Sequence, residues 1–548
     1  MPKLNLDEKS KTFISLILIL FVSLIFILDT RILTNPPLRS DDWKMLVEPV
    51  VFDEINLVNF SDRRPFLLSL FAILSPIIHL KISLYYVANW LLILFSGLTV
   101  YQILRLAYPK YQWLALPGAL IFLIYPVNYA RTWLVVSINT FALLLGLLAI
   151  LLMIIYCRGG KPWHLGLANL LILLSLGTYE AALGIIFLSG FLLILNREIS
   201  KKRRFWMLTI FATIAFFLLW RLVIQPSVFA VSDFYLENAT VSILPILKRY
   251  AQGLFIFLFN WVGPLLNPLG EIKYWVFGSG SAILLVILTL LIRRRINRMA
   301  DSPEESRSER LSKAKGLLKI SGIGFLFWAA GYIPVISLWQ PYFYGDGSRV
   351  NFAAIPGASL ALVALFGAMF TILSKQEKKI QNGVMIIVIL MVAAGMAYQV
   401  QGQNIRQQVW QVNQVFWQKM FELVPGIKTG TKLVIVIPNY EKVGPFEMLP
   451  FRGDWEAESA FRVLYNDQEL FAEYFYIDWL AAPDNWQPIG GDLERYLFVY
   501  YDTSLGDIRI IQDPFQALEL SDPIENYDPS LRITAFEEEM GKYRYLVE

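Results

Sequence analysis

Residues 39–70, RSDDWKMLVEPVVFDEINLVNFSDRRPFLLSL, hold the densest set of groups able to do chemistry. Asp41 and Asp42 stand side by side, and Lys44 follows Asp41 at a spacing that puts both on one helix face. Trp43 suits an interface anchor. Asp62, Arg63, Arg64 and Pro65 then open an apolar stretch. A carboxylate and several cations at one interface can handle a phosphate-linked lipid: the cations hold phosphate and the carboxylate takes a proton. An ordinary polar loop laced with surface ion pairs fits the same charges equally well.

Further candidates lie downstream, each with a structural alternative. Arg349 follows YFYGDGS, where Gly345 and Gly347 permit close backbone approach. Glu180, in GTYEAAL, sits at a short outer turn, where it either caps the next helix or meets an acceptor; a Glu at membrane depth is costly. Arg131 either contacts substrate or snorkels to lipid headgroups. Lys248 and Arg249 either complete a phosphate clamp or stay on the surface. The single Cys157 excludes an intrachain disulfide, and two histidines, His79 and His164, exclude a His-rich zinc site. A bound metal would rest on carboxylates, which suits a divalent cation such as Mg or Mn; whether one is used stays open. Asn59 and Asn238 begin N-x-S/T sequons.

These groups must be positioned by apolar helices. Of 548 residues, 56% are hydrophobic and mean hydropathy is +0.51, against about 45–50% apolar in soluble chains. A single soluble globule and a disordered chain are both excluded. Apolar runs near 12–33, 84–104, 113–128, 132–156, 164–178, 181–195, 205–225, 274–292, 317–339, 351–374 and 380–399 read as eleven transmembrane helices. The basic loops 197–204, 293–315 and 375–379, with the weaker 105–110 and 158–161, fall on one side if the amino terminus is cytoplasmic. That arrangement requires the proline-containing stretches 65–80 and 243–266 to be juxtamembrane or re-entrant helices. The expected fold is a polytopic α-helical membrane protein of the cell membrane with a small extracytoplasmic α/β domain at its C-terminus.

The division falls at 1–399 and 400–548. Residues 400–548 hold 12 basic and 24 acidic groups, net −12, leaving 36 basic and 20 acidic groups, net +16, for residues 1–399. Nucleic acid fits neither half. In the tail, 403–423 reads as a helix, and KLVIVIP (432–438), YLFVYYD (496–502) and IRIIQD (508–513) read as strands. It carries no catalytic motif, and its acidic residues suit a solvated surface.

The order of first span, outer loop with an acidic pair, juxtamembrane helix and many further spans resembles the C-superfamily of membrane glycosyltransferases (the GT-C fold). The nearest members are the protein O-mannosyltransferase and lipid A aminoarabinose transferase group. Their loop carries Asp-Glu, often with a basic residue two positions on; here it is Asp41-Asp42-Trp43-Lys44. Their juxtamembrane helix opens on a basic or His-Pro element; here it is Arg63-Arg64-Pro65. IYPVNYARTW (124–133) is similar to their short outer turn with a Pro and an Arg. SRVNFAAIPGASLAL (348–362) is similar to their late Arg-Tyr-x-x-Pro-x-x-Pro segment, with Val350 and Ala353 as departures. The second acid is Asp rather than Glu, and the His-Pro-Pro form is absent.

The resemblance implies transfer of a sugar from a polyprenyl-phosphate-linked donor to an extracytoplasmic acceptor: a glycan, a lipid or a protein. It implies Asp41 as general base in an inverting displacement, with Asp42 orienting Lys44 or holding a divalent ion. Lys44, Arg64, Arg63 and Arg349 become the donor-phosphate contacts. Two rival readings are a polytopic transporter or flippase, which would place ionisable groups at mid-membrane on several helices, and a catalytically idle assembly subunit.

Overall fold

The computed structural model describes the chain outside residues 1–5, 28–29, 40, 61–63, 197–198, 230–241, 262–275, 277, 282, 285–305, 343–345, 375, 438–440, 444–445, 449–453, 477–494, 504, 513–527, 539–540 and 548. Two compact units emerge. Met1–Leu33, Asn56–Ile73 and Ser83–Gly402 form the first; Thr34–Ile55, Leu74–Ile82 and Gln403–Glu548 form the second. The loop that carries Asp41 therefore belongs with the C-terminal residues, while Arg64 belongs with the helices.

In the first unit, long Leu/Ile/Phe runs form helices because only a helix satisfies its own backbone groups in an apolar setting. At about 1.5 Å per residue, roughly 20 residues cross the hydrocarbon core. Among the described residues five helices are long and apolar enough: Ile82–Ala107, Ser137–Cys157, Lys201–Phe229, Gly347–Leu373 and Lys379–Leu423. They make the chain a polytopic membrane protein. Shorter apolar helices are Thr12–Phe26, Ser69–Ile78, Pro162–Thr178 and Glu180–Leu195. Large apolar side chains such as Phe205, Phe216, Ile386 and Leu390 are exposed, as hydrocarbon-facing positions are. The helix Arg307–Tyr332 starts ten residues before the expected span at 317, because a Ser306–Glu309 capping box nucleates it early. The expected span 274–292 lies largely outside the described residues.

The expected span 113–128 is instead a 3-10 turn, Pro109–Leu114, followed by a ten-residue helix, Ala115–Ile124. The cause is local. Tyr125 precedes Pro126, and a residue before proline is pushed out of the helical region; its φ/ψ is −52/121. Nine of the ten helical residues are buried, so this is a core helix about half as long as a crossing requires.

Close packing of Arg307–Tyr332 against Ile355–Leu373 depends on small residues, the usual device where lipid competes with helix contacts. A Cβ on Gly324 would stand 2.5 Å from the Ala361 amide nitrogen, and one on Gly357 would overlap the Trp328 backbone.

The second unit includes residues 403–423 of the continuous helix Glu377–Leu423. Its sheet runs Phe471–Tyr476, Lys432–Ile437, Tyr496–Asp502, Asp507–Ile510. The first three strands are parallel, with Lys432 opposite both Phe471 and Tyr496, and the last is an antiparallel edge. KLVIVI is a continuous apolar run because a central parallel strand is covered on both faces. All three expected strands are present, and the C-terminal α/β region is a finding of the structure. Phe416 and Trp417 of the long helix pack on Tyr501 and Phe461, with ring centroids 5.0 and 4.6 Å apart.

Candidate functional site

In the first unit the turn after Arg64 docks on the end of helix Pro162–Thr178. Phe66 N donates to Gly177 O at 3.0 Å, and Gly177 must be glycine because a Cβ there would enter the Phe66 ring. Tyr179 is extended, at φ/ψ −159/119, so the helix ends and Glu180 opens a new turn facing Arg64. The Arg64 guanidinium forks onto the carboxylate: Nε donates to Oε2 at 2.7 Å and Nη2 to Oε1 at 3.2 Å. Its Cζ lies 4.2 Å from the Tyr179 ring centroid, a cation–π contact that holds the fork flat. Burial raises the Glu180 pKa, the charges of Arg64 and Arg221 and the hydrogen bond from Arg64 lower it, and the balance lies below the usual carboxylate value.

Arg221 completes the cluster. It lies in a π-helical turn, Trp220–Ile224, inside the helix Lys201–Phe229; such turns are frequent at functional sites. Arg221 is 8% exposed. Its Nη1 donates to Gln225 Oε1 at 3.3 Å, and Gln225 Nε2 donates to Phe60 O at 3.3 Å. Arg64, Glu180 and Arg221 line one open cleft of about 200 Å³ with Tyr179, Phe217 and Trp339. That is smaller than a typical ligand pocket of roughly 300–1,000 Å³ and suits one small anionic group. The segment 334–339 forms its far wall. Arg249 holds that wall by donating from Nη1 to Ile336 O at 2.7 Å; Gln252 Nε2 adds a bond to Pro341 O at 2.8 Å. Lys248 is exposed on the same helix.

Arg131 is buried, not at a headgroup surface: it is 4% exposed, and its Nη1 donates to Phe122 O at 3.1 Å and Leu123 O at 2.6 Å. It caps the carbonyl end of Ala115–Ile124, where a cation also meets the helix dipole. Arg349 is half-buried in the 3-10 stretch Asp346–Ala354. That stretch packs on the 127–130 turn: Ser348 Oγ accepts from Ala130 N at 3.2 Å, and Asn351 Nδ2 donates to Val127 O at 2.7 Å. Segments 124–133 and 348–362 are thus brought together. Arg63 lies outside the described residues.

In the second unit, Asp42 is buried and closes a tight turn by accepting from Arg39 N at 3.1 Å. Asp41 is half-exposed, and its Oδ1 accepts from the Trp455 indole at 2.9 Å. Lys44, in the π-helical turn Trp43–Val47, pairs with Glu48 at 3.2 Å. Glu48 is buried and also accepts from Ser459 Oγ at 2.6 Å and Arg462 Nη1 at 3.2 Å. Among the described residues no group of three or more His, Cys, Asp or Glu is arranged to hold a metal.

No protein-family profile matches the chain, and no curated protein matches it. Among solved structures it is similar to the Archaeoglobus fulgidus oligosaccharyltransferase in its apo form, at 12% identity and a TM-score of 0.39, over 77% of this chain and 62% of that one. The chain therefore spans less than two thirds of that protein's length.

Proposed function

We propose that the chain is a membrane glycosyltransferase of the C-superfamily type, moving a sugar from a polyprenyl-phosphate donor to an extracytoplasmic acceptor with inversion. The observation that carries the reading is the Arg64–Glu180–Arg221 cleft. Two arginines against one carboxylate, lodged among apolar helices of a membrane protein, suit a lipid phosphate that needs both a cationic cradle and an apolar tail path. Arg64 and Arg221 contact the phosphate, and Arg249 positions the wall opposite. Cations there lower the barrier because charge grows on the leaving phosphate as the glycosidic bond breaks. Asp41 is the base that takes the acceptor's hydroxyl proton, with Trp455 fixing its rotamer; Asp42 shapes the turn. Lys44 serves Glu48, and Arg131 serves the helix it caps.

Transport or flipping of a lipid-linked substrate is the rival reading, favoured by the burial of Arg221 within an apolar helix. Extracted glycolipids and surface glycans compared between cells with and without the gene test transfer, and a leaflet assay on the reconstituted protein separates it from flipping. Transfer predicts accumulation of a sugar-charged carrier and loss of one surface sugar. Unchanged carrier glycosylation on both sides of the comparison contradicts transfer.

A further inference from the structure

Arg64 presents its fork to Glu180, so an incoming phosphate meets an occupied clamp. We propose that Glu180 is a built-in counter-anion that competes with the lipid phosphate for Arg64 and Arg221, and thereby makes the cleft prefer the charged donor over the spent carrier. The inference rests on the transfer reading and extends it to specificity and product release.

The chemistry of transfer sets the problem. The sugar C1–O bond to the lipid phosphate breaks, a C1–O bond to the acceptor forms, and the acceptor's proton leaves to the base. The donor is a phosphodiester with one negative charge. The product is a phosphomonoester carrying about −1.5 to −2, because it gains a second ionisable oxygen. A cleft of two free arginines would therefore hold product more tightly than substrate. Among the described residues lining the cleft, two arginines and one glutamate leave a net charge of +1, which balances the diester and not the monoester.

Geometry supports direct competition rather than distant repulsion. Both carboxylate oxygens occupy the Arg64 fork, in the planar, two-point manner that a phosphate would use. Tyr179 holds the guanidinium from one face, so Arg64 stays in place when its anionic partner changes. A phosphate entering the cleft reaches the Arg64 fork only by taking the Nε and Nη2 positions that Glu180 holds. Arg249 is engaged by the Ile336 carbonyl and supplies the wall.

The test measures binding with the full-length protein in detergent. The probes are a fifty-five-carbon polyprenyl monophosphate and its glucosyl phosphodiester, compared for parent, Glu180→Gln and Glu180→Asp. Glu180→Gln is expected to tighten the monoester about tenfold more than the diester. A difference of about tenfold lies between what one extra half charge at contact distance gives in bulk water and what it gives near a protein surface. Glu180→Asp, which keeps the charge on a shorter arm, should fall between parent and Gln. Product inhibition of transfer by the monoester should strengthen in the same order. Equal tightening of both lipids, or weakening of both in a Glu180→Gln protein with parental thermal stability, overturns the proposal. If Glu180→Gln does not fold, parental discrimination by Glu180→Asp overturns it, and a shift toward the monoester supports it. Intact donor transfer with unchanged lipid preference removes this inference and leaves the transfer reading standing. Altered preference without any transfer does the reverse.

Discussion

Arg64 combines a two-point ion pair, an aromatic floor and a place at a cleft mouth, so its substitutions should separate charge from geometry. Arg64→Ala is expected to weaken donor-lipid binding by about tenfold or more, and Arg64→Lys to restore part of it, since it keeps charge but loses the fork; lipid binding by purified variants reads both. Asp41→Asn should lower transfer by about 10²–10⁴-fold, the usual reach of a general base, while donor binding stays at the parental value. The Arg64–Glu180 pair also has a pH signature. Because the folded carboxyl titrates below its ordinary value, its contribution to stability is present above the unfolded pKa and lost as pH falls through the folded one. The Tm difference between parent and Glu180→Gln should hold at neutral pH and shrink on acidification. Arg64, Glu180 and Asp41 were legible as charges flanking apolar runs. Arg221 was legible too, as a lone cation inside the run 205–225, although the span count absorbed it. The partners of Glu48 were not, because Ser459 and Arg462 lie more than 400 positions away and nothing local marks a long-range ion pair.

At the scale of elements, helices and strands followed from apolar runs, β-branched content and prolines, and the misreadings arose where local geometry departs from a straight α-helix. Pro126 cut one expected span short, and the π-helical turns that carry Lys44 and Arg221 leave no local mark in the apolar pattern. Gly357→Val should destabilise the first unit by about 1–3 kcal/mol through overpacking against Trp328, read as a lower Tm in detergent. Arg462→Ala should cost about 3 kcal/mol by stripping a charged partner from buried Glu48, toward the low end of such losses because Lys44 and Ser459 remain. The double variant Glu48→Gln/Arg462→Met should recover much of it.

For the whole molecule, the strand-like runs after residue 400 marked the C-terminal sheet, while the assignment of the Asp41 loop to the compact unit that holds it came only from three-dimensional packing. The amino terminus is expected in the cytoplasm and the C-terminal region outside. Single-cysteine labelling in a background lacking Cys157 checks this, with reagent reaching position 484 only from the outside. The most direct measurement of the proposed activity is a single-turnover reaction of the reconstituted protein with a radiolabelled polyprenyl-phosphate sugar and a cell-envelope extract as acceptor. Label is expected to leave the lipid and appear in acceptor with inverted anomeric configuration, with Asp41→Asn binding the lipid but barely turning it over and Arg64→Ala binding it about tenfold or more weakly. Label that stays on the lipid with the parent protein, while the lipid itself changes leaflet at a rate that depends on Arg64, would contradict the enzyme and establish the transporter.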